Sequence, residues 1–194
     1  MGKFSPVVEV EPKHGVGGDI RALRKSRGVT LSDMAETIER SVGWLSQVER
    51  GQTEPSIPDL RRIAQMFEVP TSFFFRNDLA DESERGFVVR AAHRASLGSR
   101  RDGLTEELLS PHLSGDFEMI LSTFEPQSKS AWIAARPTQE GGYLVRGSLT
   151  LQIGERRMHL SAGDSFQFEN ETYRWENATD EEAVALWVIA PPIY

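Results

Sequence analysis

The sequence of 194 residues predicts a two-domain α+β protein, in which an N-terminal bundle of five helices precedes an antiparallel β-barrel of the jelly-roll type. Over residues 17–75, apolar residues recur at helical spacing, as in Leu60, Ile63 and Phe67. Beyond residue 86 the apolar period changes to two, and short runs alternate with turn residues, as expected for antiparallel strands. An acidic segment that is poor in large apolar residues separates the two patterns at residues 76–86.

These patterns divide the chain into a flexible N-terminal arm at residues 1–16, a helical domain at 17–75, a linker at 76–86 and a strand domain at 87–194. The absence of cysteine excludes a disulfide framework and a thiolate zinc site. No apolar run approaches the roughly 18 residues that a membrane span needs. The N-terminus also lacks a signal segment, so we expect a cytoplasmic protein.

The ends of the helices can be read from capping residues. Gly28 suits the left-handed position that ends the first helix, and Thr30 or Ser32 caps the second. The fourth helix begins with a Ser-x-x-Asp capping signature at residues 56–59, and a short aromatic fifth helix covers 70–75. A tight turn joins the second helix to the third, which is typical of a helix-turn-helix bundle.

The third helix, at residues 41–51, points most directly to function. Leu45 and Val48 share one face, while polar and small residues occupy the other. A glutamine can read an adenine edge, and small neighbours allow a close approach to DNA. The same pattern fits a solvated surface helix, and the surrounding bundle favours the DNA-binding interpretation. The outward face carries Val42, Gly43, Ser46, Gln47 and Arg50.

Three motifs in this domain are R-x-L-R-x-x-R-G at residues 21–28, L-S-Q-V-E-R-G at 45–51 and E-P-S-I at 54–57. Together they resemble the XRE, or lambda-repressor-like, family of DNA-binding domains. Glu39 stands where that family usually has glycine, so either the glutamate adopts the turn at some cost or the turn differs by a residue. The DNA-binding residues that we expect are Thr30, Ser32, Ser41, Val42, Gly43, Ser46, Gln47, Arg50, Gln52 and Thr53.

The charge is distributed unevenly along the chain. Residues 1–75 contain ten basic and ten acidic residues, whereas residues 76–194 contain 12 basic and 19 acidic ones, so the net charge of −7 lies in the second half. For the helical domain this charge balance predicts weak non-specific binding to DNA and a specific operator complex formed by a dimer. Local positive charge is supplied by Arg21, Arg24, Lys25 and Arg27 on the first helix and by Arg40 and Arg50 beside the third.

The second domain is predicted to consist of short strands. We expect turns at residues 154–155 and 161–164, where glycine follows or precedes a polar residue. The predicted strands cover residues 87–90, 119–124, 131–136, 143–145, 149–153, 157–160, 165–168, 172–177 and 183–189.

The motifs E-x-x-x-L-V-x-G-x-L-x-L at residues 140–151, L-x-A-G-D-S at 160–165 and Y-x-W-x-N at 173–177 resemble the cupin family over about residues 118–192. Many cupins bind a divalent metal through three histidines and a glutamate. The resemblance maps those ligand positions onto Ala134, Arg136, Glu140 and Tyr173, so that only the glutamate is kept. We therefore expect neither a metal nor another cofactor.

The residues that replace those ligands predict either a binding pocket or a filled core. As a pocket, they offer aromatic walls with a few polar anchors and suit an amino or organic acid as effector. As a core, Arg136 and Glu140 form a satisfied internal ion pair. The expected effector-binding residues are Trp132, Arg136, Glu140, Tyr173 and Trp175.

Taken together, the two resemblances imply a sequence-specific transcriptional regulator that is not an enzyme. It is expected to bind a double-stranded DNA operator as a homodimer, and its cupin domain senses a small molecule, provides the dimer interface, or does both. One alternative is a cupin-type metal-dependent oxygenase, which requires the missing histidines. Another is an antitoxin-like DNA-binding protein whose barrel contacts only protein.

Overall fold

A computed structural model describes residues 15–79, 81–97 and 102–193 of the chain. In these ranges the helical domain contains four α-helices rather than five. The predicted arm lies outside the described residues up to residue 14, and the first helix already begins at Val16. The helices are α1 (Val16–Ser26), α2 (Leu31–Thr37), α3 (Val42–Glu49) and α4 (Ile57–Phe67).

The predicted fifth helix is a 3₁₀ helix, Thr71–Leu79, which extends into the range predicted as linker. Its sequence has adjacent aromatic residues instead of the i, i+3, i+4 apolar repeat that α-helix packing requires. Phe73 and Phe74 are both buried, with their ring centroids 5.4 Å apart in an edge contact. The segment is therefore anchored to the helical core through two neighbouring side chains.

Side-chain caps set the beginnings of the helices. The Thr30 hydroxyl accepts a hydrogen bond from the backbone N–H of Asp33 at 3.1 Å, so Thr30 rather than Ser32 caps α2. Ser41 caps α3 in the same way through the N–H of Trp44. Ser56 and Asp59 form the predicted capping box of α4. Each hydroxyl satisfies a backbone N–H that has no partner inside its helix.

Glu39 lies in the left-handed region, with φ 56°, in the turn between α2 and α3. This resolves the alternative that the sequence left open, because the glutamate itself adopts the glycine conformation. Its carboxylate lies 3.4 Å from Arg62, but both side chains are exposed. An exposed ion pair of this kind adds little stability, so the strained backbone is not offset locally.

The second domain consists of two antiparallel sheets and does not close into the predicted barrel in the described part of the chain. The six-stranded sheet has the order β1-β2-β3-β10-β5-β8, and the four-stranded sheet has the order β4-β9-β6-β7. The strands are β1 (Ala95–Ser96), β2 (Leu104–Leu108), β3 (Glu118–Phe124), β4 (Ser128–Lys129), β5 (Gln139–Arg146), β6 (Ser148–Ile153), β7 (Arg156–Ser161), β8 (Ser165–Glu169), β9 (Tyr173–Asn177) and β10 (Ala183–Ala190).

Two predicted strands are absent. Residues 87–90 form a turn and extended chain in which the Phe87 side chain is 85% exposed, so the apolar run there is not core. Residues 131–136 make only an isolated bridge between Ile133 and Tyr173. The turn at residues 161–164 is present, but it passes the chain from one sheet to the other rather than closing a hairpin.

The core of the second domain lies between the sheets. Buried and half-buried residues alternate strictly along β10, where Trp187 and Ile189 point inward. Phe124 meets Trp175 at 4.7 Å between ring centroids, and Tyr173 stacks on Trp187 at 5.7 Å. Aromatic side chains from both sheets therefore hold the layers together.

The two domains also touch. The carboxylate of Asp19 in α1 accepts a hydrogen bond from the backbone N–H of Leu113 at 2.9 Å, and both residues are buried. β1 packs against the 3₁₀ helix. None of the helices in the described ranges is long and apolar enough to cross a membrane.

We predict that Glu39→Gly raises the free energy of unfolding by about 0.5–1 kcal/mol, because glycine adopts positive φ without steric strain. Urea denaturation measures the change. The matched control is Glu36→Gly in the last turn of α2, which should lower the free energy of unfolding by up to about 1 kcal/mol. Destabilisation by both substitutions would contradict the strain at Glu39.

Candidate DNA-binding surface and ligand cavity

The outward face of α3 is separated cleanly from its buried face. Leu45 and Val48 are fully buried, whereas Val42 is 44% exposed and Gln47 is exposed. Gly43 is also exposed, and no atom lies within 4 Å of where a Cβ would stand. The free protein therefore does not require glycine at this position for its own packing.

Hydrogen bonds organise the polar residues on this face and in the loop that follows. Arg50 donates from Nη1 to the Ser46 hydroxyl. Its Nε donates to the side-chain oxygen Oε1 of Gln52 at 3.1 Å. Thr53 donates to the side-chain oxygen of Gln47 at 3.3 Å. The backbone N–H of Gln52 donates to the carbonyl of Gln47 at 2.9 Å and joins these two groups, so five of the predicted DNA-binding residues form one cluster of exposed and half-buried side chains, which we call the α3 surface.

The other predicted DNA-binding residues flank the α3 surface or begin the preceding helix. Ser41 precedes Val42 and Gly43 as the cap of α3, and its side chain is already engaged in that cap. Thr30 and Ser32 are exposed at the start of α2. Eight of the ten predicted residues are exposed, and the other two, Ser46 and Thr53, are half-buried.

A buried ion pair attaches α3 to α1. Arg24 donates two hydrogen bonds to the carboxylate of Glu49, at 2.6 and 2.9 Å, and a third to the carbonyl of Val29 at 3.0 Å. The hydrogen bonds to Glu49 raise the pKa of the Arg24 guanidinium. Gly17 lies so close that a Cβ there would be 2.0 Å from the carbonyl oxygen of Val48. Arg24 is therefore a structural residue rather than a free cation for phosphate.

A second ion pair supports the turn before α3. Arg40 binds both oxygens of Asp59, at 2.8 and 3.1 Å, and its guanidinium lies over the Trp44 ring at 5.1 Å from the centroid. Burial pushes the pKa of Asp59 upward, but the hydrogen bonds from Arg40 and Ser56 outweigh it and lower that pKa below its ordinary value. The pair links the α2–α3 turn to the start of α4.

A cavity of about 90 Å³ lies between the two sheets. Its lining combines one arginine, one glutamate, a serine and a tyrosine with an apolar and aromatic remainder. The polar groups among these residues are the ones that can orient a ligand. The lining residues are Leu104, Glu106, Ser122, Phe124, Ile133, Arg136, Tyr173, Trp175, Trp187, Ile189 and Ile193.

Three of the five predicted pocket residues, Arg136, Tyr173 and Trp175, line this cavity. Trp132 does not, because its neighbour Ile133 takes the inward position. The Trp132 side chain is 49% exposed. The guanidinium of Arg174 lies over its ring, 4.9 Å from the ring centroid. The prediction assumed a regular strand through residues 131–136, and the two-residue period fails where that strand is absent.

Glu140 is buried but does not line the cavity either. One of its carboxylate oxygens accepts a hydrogen bond from the Thr138 hydroxyl at 3.1 Å, and the other accepts one from the indole N–H of Trp187 at 3.0 Å. These neutral donors satisfy the buried carboxylate. Its contacts are therefore to neutral partners rather than the ion pair with Arg136 expected for a filled core.

Tyr173 lies where the charges of the cavity meet. Burial raises the pKa of its phenol, and the nearby carboxylates of Glu140 and Glu106 raise it further, while Arg136 lowers it. The phenol stays protonated across the physiological range as a result. Tyr173 can therefore donate a hydrogen bond within the cavity.

The donor set does not fit the metal that many cupins hold. Of the four ligand positions, only Glu140 has a carboxylate, and both of its oxygens already accept hydrogen bonds. Arg136, at another of the four positions, brings a positive charge to the cavity. A divalent cation would have to displace these bonds and face a guanidinium, which is unfavourable electrostatically.

The sequence analysis did not predict that Trp187, Glu106 and Ser122 line the cavity. The alternation along β10 was visible and could have placed Trp187 inward. Glu106 lies on β2, whose sequence Leu-Thr-Glu-Glu-Leu has no apolar alternation, so no local signal pointed to it. Ser122 pairs directly with Glu106 across β2 and β3.

Comparison with known families agrees with this architecture. Residues 16–72 match the family described as a helix-turn-helix domain, and residues 120–189 match the family described as a cupin domain.

Two characterised relatives are named as regulators. The chain is 34% identical over 90 residues to the transcriptional regulator ClgR of Mycobacterium tuberculosis, covering 46% of this chain and 77% of the relative. It is 40% identical over 118 residues to the HTH-type transcriptional regulator DdrOP3 of Deinococcus deserti, covering 58% and 86% respectively. Among solved structures, an HTH_3 family transcriptional regulator from Vibrio cholerae is 24% identical, with a TM-score of 0.46, and the match covers 93% of this chain and 97% of the other.

We predict that Asp59→Asn lowers the free energy of unfolding at pH 7 by roughly 1–3 kcal/mol, because Arg40 and Ser56 lose a charged, buried acceptor. The pKa of Asp59 is lowered in the folded state, so its contribution is present above the ordinary value of 3.8 and disappears as pH falls through the lowered value. Urea denaturation between pH 7 and pH 2 measures the gap in free energy of unfolding between wild type and variant, and this gap should close below about pH 4. In an Arg40→Leu background the gap at pH 7 should shrink. A gap that is independent of both pH and Arg40 would contradict the role of the pair.

Proposed function

This chain belongs to the helix-turn-helix transcriptional regulators of the XRE type and joins that DNA-binding domain to a cupin domain; from this premise we propose that it binds a two-fold symmetric operator as a homodimer and adjusts its affinity to a small ligand in the cavity. The observation that supports the DNA-binding part most directly is the α3 surface, where exposed side chains are pre-arranged on a helix that is fixed to the bundle. A helix in this position of the motif enters the major groove.

In this proposal Gln47 reads an adenine edge, and Val42, Gly43 and Ser46 allow the helix to approach the bases. The open space around Gly43 in the free protein leaves room for a base edge to approach the backbone of α3. Arg50 can exchange its contact with Ser46 for a phosphate oxygen. Thr30, Ser32, Ser41, Gln52 and Thr53 contact the backbone and set the register of the protein on the duplex.

The outer face of the six-stranded sheet is the proposed dimer interface. Leu121, Leu186 and Tyr143 lie opposite one another in the register of β3, β10 and β5, and they face away from the core. Tyr143 is 47% exposed and its neighbour Val145 is 51% exposed. A continuous apolar row across three central strands suits burial against a second copy of the same sheet.

The proposed effector is a small amino or organic acid. Arg136 offers a planar pair of donors for a carboxylate, and Tyr173, Trp175 and Trp187 enclose the rest of the molecule. We assign no reaction to the cupin domain, because the ligand positions of a metal-dependent oxygenase are replaced at three of four places. The characterised relatives are likewise named for regulation.

We expect Gln47→Ala to cost roughly 1–3 kcal/mol of affinity for an operator selected from random DNA, and to relax preference at one base pair. Arg50→Ala should weaken binding to all sequences alike and reduce the salt dependence. Fluorescence anisotropy with matched and single-mismatch duplexes measures both effects. Gln65→Ala, an exposed glutamine on α4, is the control and should bind like the wild type. Equal loss on matched and mismatched DNA for Gln47→Ala would contradict base reading.

The wild-type protein should have the mass of a dimer by light scattering at micromolar concentration without DNA. Tyr143→Glu should shift it to a monomer, because a charge would be buried in the interface. Phe87→Glu, which changes an 85% exposed side chain outside the strands, should leave the dimer intact. A monomeric wild type would count decisively against the interface.

Amino and organic acids should raise the melting temperature of the wild type without added metal, and Arg136→Ala should abolish the shift. Arg174→Ala is the control, because Arg174 lies over Trp132 outside the cavity. Metal analysis of the same protein should find no stoichiometric iron, zinc or manganese. A ligand that stabilises Arg136→Ala as much as the wild type would remove Arg136 from the site.

A further inference from the structure

The start of α3 carries an apolar side chain that the fold does not bury. Val42 is the first residue of the helix, and its side chain is 44% exposed. Among the described side chains of residues 15–75, the exposed large apolar ones are Val42 and Ile57, the first residue of α4. Valine also forms a helix less readily than alanine does. The stability of the free protein therefore gives no reason for a valine at this position.

The position of Val42 is fixed before any DNA arrives. The Ser41 hydroxyl accepts a hydrogen bond from the backbone N–H of Trp44 at 3.1 Å and caps the helix directly before Val42. In the turn ahead of it, Arg40 binds Asp59 of α4 through two hydrogen bonds. A β-branched side chain in a helix has one strongly preferred χ1 rotamer. The methyl groups of Val42 are therefore presented in one direction, with little side-chain entropy left to lose on contact.

The neighbours of Val42 on the outward face of α3 leave room for a close approach. No atom lies within 4 Å of where a Cβ of Gly43 would stand. Ser46 lies one helical turn further along the same face, and its short side chain is half-buried and accepts a hydrogen bond from Arg50. A base edge can therefore reach the methyl groups of Val42 without meeting a larger side chain at Gly43 or Ser46.

The major groove offers Val42 one chemically suitable partner. The edges of all four bases present hydrogen-bond donors or acceptors there, and only thymine adds an apolar group, the C5 methyl. A polar base edge covered by valine would lose its water without gaining a hydrogen bond, which costs free energy. Contact with the thymine methyl group instead removes apolar surface from water on both sides. The contact thus favours thymine over the other three bases.

Gln47, which follows Ser46, supplies a second reading point that is also ordered. The Thr53 hydroxyl donates to Oε1 of Gln47 at 3.3 Å. This bond leaves one lone pair of Oε1 and both N–H groups of Nε2 for a base. These remaining groups match the donor and the acceptor on the adenine edge. The spacing between the two reading points is therefore set by the α3 helix.

We propose that Val42 is a specificity-determining residue that reads a thymine through its C5 methyl group. This inference rests on the proposed entry of α3 into the major groove and extends it by naming a second base. Val42 and Gln47 are five positions apart in α3. This spacing corresponds to about 7.5 Å along the helix axis, or roughly two base pairs. The thymine should therefore lie within about three base pairs of the adenine that Gln47 reads.

Replacing thymine by uracil tests the proposal, because it removes the methyl group and leaves every hydrogen-bonding group of the base in place. In the operator obtained by selection, each thymine of one half-site is changed in turn to deoxyuridine. At one thymine near the Gln47 base pair, the affinity of the wild type should fall roughly three- to fivefold, the worth of one buried methyl group. Fluorescence anisotropy measures the affinity for each duplex.

The variants show whether this preference comes from Val42. Val42→Ala should bind the thymine duplex more weakly than the wild type does and should show no preference for thymine over uracil. Val42→Thr, which exchanges one methyl group for a hydroxyl, should keep a smaller preference than the wild type. Ile57→Ala is the matched control and should keep the full preference, because Ile57 is an exposed apolar residue at the same position of α4. Each result is a ratio between two duplexes for one protein, so a change in the folded fraction cancels.

Two results would overturn the assignment of Val42 alone. One is a wild type that binds every uracil duplex as tightly as the thymine duplex, and the other is a Val42→Ala variant that keeps the wild-type preference. Loss of the preference in Ile57→Ala as well would also overturn it, because the effect would then not come from a local contact. In each case the adenine preference that Gln47→Ala relaxes would still support the proposed function. A selection that enriches no motif would overturn both.

Discussion

The buried bonds between Arg24 and Glu49 are the interaction on which the rest of the helical domain depends. Glu49 is 5% exposed in the last turn of α3, and a carboxylate at this depth is tolerated only with a paired and hydrogen-bonded partner. The same guanidinium also binds the carbonyl of Val29, just before α2. With Gly17 packed on the carbonyl of Val48, one arginine sets the position of α3 relative to two other helices. The exposed side chains of α3 are presented on a rigid support as a consequence, which is what base reading requires.

The cupin domain keeps a carboxylate at only one of the four positions where many cupins hold a metal. Glu140 occupies the one ligand position that is still a carboxylate, and it now serves as a hydrogen-bond acceptor for Thr138 and Trp187. Arg136, at another of these positions, brings a guanidinium to the cavity lining. Glu140 is held by neutral donors outside the cavity, whereas Arg136 lines it, so the two residues differ in what they can contribute to the proposed ligand site.

The sequence predicted best what depends on local pattern. Thr30, Ser41 and the Ser56–Asp59 box were found because capping chemistry lies within four residues. The prediction that Tyr173 and Trp175 point inward was correct because both lie on a regular strand with a two-residue period. The same prediction for Trp132 was wrong because residues 131–136 do not form a strand. Gly17 against Val48 and Asp19 with Leu113 join residues that are far apart in the chain. No local pattern indicates such contacts, since they arise from how the elements pack.

The central claim is that α3 of a dimer reads DNA sequence, and selection from a random duplex library followed by sequencing tests it most directly. The account predicts an enriched motif of two inverted half-sites, with their centres about one helical turn, or roughly 10 base pairs, apart. A folded protein that enriches no motif, or one that enriches a single half-site without symmetry, would contradict it.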